Sequence, residues 1–295
     1  MKTVNSLSGG KTSSYIAVNY PSDYNVFALV RTNDKNCIFP DKKLRQVVSD
    51  KLGGIDFIGT LETDTIIYTM LDLEQYIGKK IDWVSGKTFD DIVISRGGKD
   101  KEGKSKTYVP NLTMRFCTTE MKLQPIFDWW RKEINEVAKF RIGFRKNETK
   151  RANTMLKKVN DNGNCEIKTV IGKSKNGKRN RWGMVEWQKP EFPLITDGIF
   201  KDKIEVFWED KSVRFAKFNN CVGCFHRNPI MLKHMSNLEP TKFDWFIKQD
   251  EKSKIDYGGR TWLMGTTYQQ IKDSFTQMDL FDDDFNECDS GYCGL

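Results

Sequence analysis

Histidine is almost missing from this chain. His226 and His234 are the only two in 295 residues, so imidazole acid–base catalysis has few candidates. Long apolar runs are missing as well, and no stretch approaches the roughly 20 residues of a spanning helix, so no membrane partner is expected. The N-terminal residues Met1-Lys2-Thr3-Val4 lead into structure without an apolar signal segment, which makes a cytoplasmic location the expectation. In that compartment the seven cysteines are expected as ligands, nucleophiles or core residues rather than as disulfides. No internal repeat and no heptad register is present, which excludes solenoids and coiled coils. Residues 273–295 lack Lys and Arg altogether, and residues 168–181 lack Asp and Glu.

What is present is an ordinary globular composition, 38% hydrophobic and 30% charged, at a length that suits one large domain and a smaller appendage. The net charge of +8 hides an asymmetry. Seven acids fall in residues 273–295, which leaves 48 basic against 33 acidic residues before them, a balance of +15. That balance points to an anionic partner such as nucleic acid, with a solvated basic surface as the plain alternative. Residues 168–181 carry Lys168, Lys173, Lys175, Lys178, Arg179 and Arg181 among Gly172, Asn176, Gly177 and Asn180. This composition predicts a hairpin tip or exposed loop, one way to hold a phosphate backbone beside an active site.

Hydrophobic patterning predicts strands over residues 3–7, 25–30 and 56–59, with helices over 12–19, 42–52 and 64–78, the last capped by Gly78. The β-α-β-α alternation predicts an α/β fold with a doubly wound, mostly parallel sheet. A helix over 122–139 and a strand end over 140–144 follow, and 96–106 reads as a loop. A boundary near residue 210 divides a nucleotide-binding domain, 1–210, from a smaller cysteine-containing module, 211–295.

Three clusters carry chemistry. Ser8-Gly9-Gly10-Lys11-Thr12-Ser13-Ser14 joins the first strand to the first helix. The glycines let backbone N–H groups turn onto an oxyanion, the serines add hydroxyls, Lys11 adds a point charge, and the helix adds its positive end. The spacing is not that of a Walker A loop, and a Gly-Gly turn that merely caps a helix is the alternative. Arg145 and Arg151 flank Glu148 at a strand-to-helix junction. Their guanidinium forks match phosphate or sulfate, and Glu148 either orients one of them or holds Mg²⁺ through water. A surface ion-pair ladder would look the same in sequence. Cys221-Val-Gly-Cys224 places two thiols three apart, enough to grip a metal or one edge of a cluster but leaving ligands missing. In addition, the backbone from Leu29 to Arg31 ends a predicted strand, where a base edge can bind in an open sheet; Asp34 reads equally well as a turn cap.

Together these segments resemble one superfamily. Ser8-Gly9-Gly10-Lys11-Thr12-Ser13 is similar to the SGG-x-[DT]-S pyrophosphate loop of PP-loop ATP pyrophosphatases and PAPS reductases. Arg115-Phe-Cys117 followed by Lys122-Leu-Gln-Pro125 is similar to that family's R-x-C…K-x-x-P element. Gly143-Phe-Arg145-Lys-Asn-Glu148-Thr-Lys-Arg151 is similar to its G-x-R-x-x-E-x-x-R element, and Phe192-Pro193-Leu194 with Phe207-Trp208 to its P-L…W stretch. All four lie in the family's order and span residues 6 to about 230.

The resemblance implies an adenine nucleotide, ATP or adenylyl sulfate, with Mg²⁺, held by Ser8, Gly9, Gly10, Lys11, Thr12, Ser13, Arg31, Arg145, Glu148 and Arg151. It places adenine near Arg31 and implies catalytic roles for Lys11, Cys117 and Cys293. It also brings Cys117 beside Cys221 and Cys224 as a third ligand, for a [4Fe–4S] cluster or, alternatively, zinc with His226. The fourth ligand is left open among Cys165, His226, Cys288, Cys293 and none. Three departures stand out. Thr12 replaces an Asp common in ATP-cleaving members, Thr118 follows Cys117 where cluster-holding reductases have a second cysteine, and Tyr292-Cys293-Gly-Leu295 only partly matches the E-C-G-L-H tail of PAPS reductases. The implied function is sulfur transfer, foremost ATP-dependent thiolation of a nucleic acid held by residues 168–181 and supplied by a sulfur donor. The alternatives are reduction of (phospho)adenylyl sulfate to sulfite through Cys293 with a thioredoxin-like reductant, or a non-catalytic nucleotide-binding module.

Overall fold

The structure is a computed structural model that describes residues 1–174 and 176–274. A six-stranded sheet organises it, built from β1 (Thr3–Leu7), β2 (Tyr24–Ala28), β5 (Asp82–Val84), β6 (Ala138–Arg141), β7 (Cys165–Lys173) and β8 (Asn180–Glu191). The short strands β3 (Arg31–Thr32) and β4 (Gly59–Thr60) pair separately as an antiparallel ladder. The strand order is β5-β2-β1-β6-β8-β7, parallel throughout except for β7, which runs antiparallel along the edge.

Side chains alternate along the central strands, and each face meets its own helices. Leu7 and Phe27 point into a core with Tyr15 and Ile16 of α1 (Lys11–Asn19) and Ile66, Ile67, Met70 and Leu73 of the helix Thr65–Ile77. Val4, Val26 and Ala28 point the other way, onto Ile126, Phe127 and Trp130 of the helix Gln124–Glu133. A period of two in strands buried on both faces gives this arrangement, a mostly parallel sheet flanked by helices and compatible with a doubly wound fold. β1 lies between β2 on one side and β6 on the other, so the chain reverses its winding direction there.

The C-terminal helices Pro229–Leu238, Pro240–Asp256 and Tyr268–Asp273 do not close a core by themselves. Their Leu232, Met235, Phe243, Phe246 and Ile271 share one buried cluster with Val30, Leu61, Phe89, Val93 and Met121. No helix among the described residues is long and apolar enough to cross a membrane.

The basic segment forms the end of the β7–β8 hairpin, as its composition predicts. Its position differs from the expectation of a loop beside the active site. β8 pairs with β6 only through Gln188–Glu191, in parallel register, so residues 180–187 run past the amino end of β6. At about 3.3 Å per residue the tip projects about 25 Å beyond that end, away from the carboxyl end of β1, where the loop over residues 8–14 expected to bind phosphate (the phosphate loop) lies.

Candidate functional site

The phosphate loop leaves the carboxyl end of β1 and opens α1. Gly9 adopts φ +81°, and a Cβ there would lie 2.6 Å from Ile66 Cγ2, so both the turn and the close approach require glycine. Ser13 locks the loop. Its hydroxyl accepts from the Ser8 N–H at 3.1 Å and donates to the Gly10 carbonyl at 3.1 Å. Among the described residues no side chain caps α1 at Gly10, so the N–H groups of its first turn are not taken up by a capping side chain there. The structure gives Lys11 a partner already: its ammonium is ion-paired with Glu205 of the helix Lys201–Trp208, and Trp208 Nε1 donates to the Lys11 carbonyl at 3.0 Å. Thr12 is buried, with its methyl turned towards the next loop.

That next loop leaves the carboxyl end of β6, and the two meet. A Cβ on Gly143 would sit 3.3 Å from Thr12 Cγ2 and 3.7 Å from the Ser13 nitrogen. Glu148 has an orienting role in this region. Its Oε2 accepts from the Arg145 N–H at 2.9 Å and from Arg145 Nε at 3.0 Å, while Oε1 pairs with Arg151. Arg145 is buried, so the cluster is not the surface ladder considered from sequence. Arg151 also lies over the Phe144 ring, 4.5 Å from its centroid. Both oxygens of Glu148 face arginines, which makes it an orienting group for the two forks.

Arg31, expected among the nucleotide-binding residues with adenine nearby, turns its side chain to structural work. Its guanidinium donates to Ser85 Oγ at 2.7 Å and to the carbonyls of Asp56 at 3.1 Å and Gly86 at 2.8 Å. Those bonds tie three loops together, and any base contact at this strand end falls to backbone groups. Asp34 caps a short turn by accepting from the Asn36 N–H at 2.8 Å.

The cysteine loop is built from a left-handed Asn220 (φ +69°) and a tight turn in which the Cys224 N–H donates to the Cys221 carbonyl at 3.1 Å. Gly223 allows it to sit on the core, because a Cβ there would meet the Phe246 ring at 2.4 Å. Cys221 bridges Glu62 in antiparallel fashion, and the Val222 N–H donates to the Leu61 carbonyl at 2.8 Å. Cys117 arrives from the short helical turn Phe116–Thr118, which runs into an i→i+5 widened turn over Thr119–Leu123. Such wide turns recur at functional sites. Cys117, Cys221, Cys224 and His226 line one cavity, together with Lys122.

Electrostatics in this cavity follow from burial. The Cys117 thiol is pushed up to about 12 by desolvation, reinforced by Cys224, and Cys221 is raised well above the ordinary thiol value by desolvation and Glu62. Without a cation these thiols stay protonated; a bound metal would deprotonate them. Burial, Arg115 and Arg151 all lower the His226 imidazole, which is therefore neutral near pH 7 and able to ligate. Among the described residues no three His, Cys, Asp or Glu side chains stand in metal-ligating geometry. The donor chemistry fits a thiolate-bound metal or cluster all the same: three thiols line one cavity with one imidazole at hand. Cys165 packs against a different cluster, and Cys37 is buried in the core against which Cys117 and Cys221 pack; neither lines the cavity. Cys288 and Cys293 lie outside the described residues.

Sequence reasoning missed Glu62 as part of this site. It is 1% exposed, Lys122 Nζ lies 3.1 Å from its Oε1, and its Oε2 has no hydrogen-bond partner among the described residues. A lone Glu in a polar run gives no local signal; only the fold brings residue 62 against 122 and 221. Lys122 was visible as part of the resemblance, yet not as a bridge. It lines the cysteine cavity and also a small cavity formed with Ser6, Leu7 and Ser8 beneath the phosphate loop.

No family model, no curated protein and no solved structure matches this chain.

Proposed function

We propose that the protein is a PP-loop enzyme of the PAPS reductase type that binds an adenine nucleotide and transfers sulfur, with a nucleic acid as the acceptor. One observation carries the reading: Lys122 lines both the cavity under the phosphate loop and the cavity of three thiols. An anion site and a sulfur site joined by one lysine suit chemistry in which a nucleotide activates one atom and sulfur attacks it.

In this reading the uncapped first turn of α1 and the loop held by Ser13 bind the terminal phosphates of ATP. Arg145 and Arg151, oriented by Glu148, take phosphate oxygens through their forks. The phosphates compete with Glu205 for Lys11. An acceptor oxygen attacks the α-phosphorus and the bond to pyrophosphate breaks; hydrosulfide from the sulfur donor then attacks the activated acceptor carbon, the C–O bond breaks and AMP leaves, with no change of oxidation state. Cys117, Cys221 and Cys224 would hold a [4Fe–4S] cluster, zinc being the alternative, with residues 211–295 as the module that carries two of them. Such a cluster supplies an iron site open to a sulfur ligand. Lys122 lies where its charge can offset both the phosphates and the thiolates.

The test is product release from purified protein. ATP should yield pyrophosphate in an acceptor-dependent manner, and Cys117→Ala should abolish sulfur incorporation while ATP binding persists. Sulfite released from adenylyl sulfate, and lost on truncation after Asp289, would replace this reading with the reductase.

A further inference from the structure

The β7–β8 hairpin has one covered and one bare face. Ile167 and Val185 turn towards the core that the helix Gln124–Glu133 covers, and Arg131 of that helix donates to Thr169 Oγ1 at 3.3 Å. On the other face Val170 stands opposite Trp182 and Lys168 opposite Met184. Trp182 is 57% exposed and Met184 56%, large apolar side chains left in solvent on the same ribbon. Lys173, Lys178, Arg179 and Arg181 crowd the tip, while the acids Glu166 and Glu186 appear only at the base. Glu186 is occupied there, accepting from the side chains of Asn160, Asn162 and Asn164.

We propose that this face binds an unpaired segment of nucleic acid, with one base stacked on Trp182 and its phosphates on the tip cations. The proposal rests on the nucleic-acid part of the preceding reading and deepens it. A flat exposed indole among cations, without a neighbouring acid, is complementary to a base and its backbone. Paired bases hide their faces in the helical stack, so a single indole favours an unpaired strand over a duplex. A membrane surface fits less well, because residues 174–179, Ser-Lys-Asn-Gly-Lys-Arg, offer no apolar side chain to enter it. The hairpin points away from the phosphate loop, which makes it an anchor that holds the polymer at a distance from the chemistry.

The experiment is anisotropy titration of the full chain with a labelled oligothymidylate and with a duplex of equal length, over a salt series. Trp182→Ala should weaken single-strand binding about tenfold without changing the salt slope, and Trp182→Phe should restore most of it. Lys178→Ala with Arg179→Ala should instead lower the single-strand salt slope by up to about 1.4. Equal binding of both oligonucleotides, single-strand affinity unchanged in Trp182→Ala, or binding to anionic vesicles in place of nucleic acid would each overturn the proposal. Pyrophosphate release from ATP by the same preparations judges the enzyme reading separately, since Trp182 is remote from that loop.

Discussion

Burial moves several titratable side chains of this protein away from their ordinary values, each in the direction that removes charge. The thiols of Cys117 and Cys221 rise, the imidazole of His226 falls, and the carboxyl of Asp250 rises to about 6. Asp250 shows which effect dominates. It accepts from the Trp262 N–H at 2.9 Å and the Tyr268 N–H at 2.9 Å, both of which favour the ionised form, yet desolvation outweighs them. Because the folded value lies above the unfolded one, its stabilising contribution is complete below about pH 4 and is lost as pH rises through about 6. The loss is at most about 3 kcal/mol. Urea unfolding at a series of pH values should show this limb in the wild type, and Asp250→Asn should flatten it; an unchanged limb in the variant would contradict the assignment.

At the scale of elements, the strand–loop–helix at the start of the chain was legible because its signals agree. A buried strand, two glycines and a serine-rich helix start all describe one turn, and the helix Thr65–Ile77 with left-handed Gly78 after it was equally plain. Other elements were not. The predicted helix over 122–139 ends at Glu133, because Asn135 turns left-handed and the chain enters β6 at Ala138. The predicted strand over 56–59 is reduced to Gly59–Thr60, which pairs with Arg31–Thr32 instead of joining the main sheet. Partners far apart in sequence decide such cases, and local patterning does not carry them. The same holds for the site. The C-x-x-C spacing pointed to two of the thiols and the family resemblance to the third and to the Arg–Glu–Arg cluster, whereas the structural use of Arg31, the Lys11–Glu205 pair and the place of Glu62 depend on tertiary approach. The contact of the two crevice loops gives an element-scale prediction. Gly143→Val would wedge branched methyls against Thr12 and displace the start of α1, so ATP affinity measured by calorimetry should fall about tenfold or more, with thermal stability reduced by roughly 1–3 kcal/mol. Unchanged affinity would separate the β6 loop from the proposed nucleotide site.

Across the whole molecule the candidate site lies at one end of the sheet and the basic hairpin at the other. The carboxyl ends of β1 and β6 bear the phosphate loop and the Arg–Glu–Arg cluster, with Lys122 leading on to the thiols, while the hairpin carries its cations past the opposite end. Net charge alone describes neither location. The central claim is that the three thiols form a sulfur-handling metal site coupled to the nucleotide loop. Anaerobic purification of the full chain, followed by iron, sulfide and zinc analysis with a visible spectrum, tests it most directly. The account predicts about four iron and four sulfide per chain, a broad absorption near the blue end of the visible range, and loss of both in Cys117→Ala. Zinc alone, or metal-free protein with Cys117, Cys221 and Cys224 all titrating as free thiols, would contradict it.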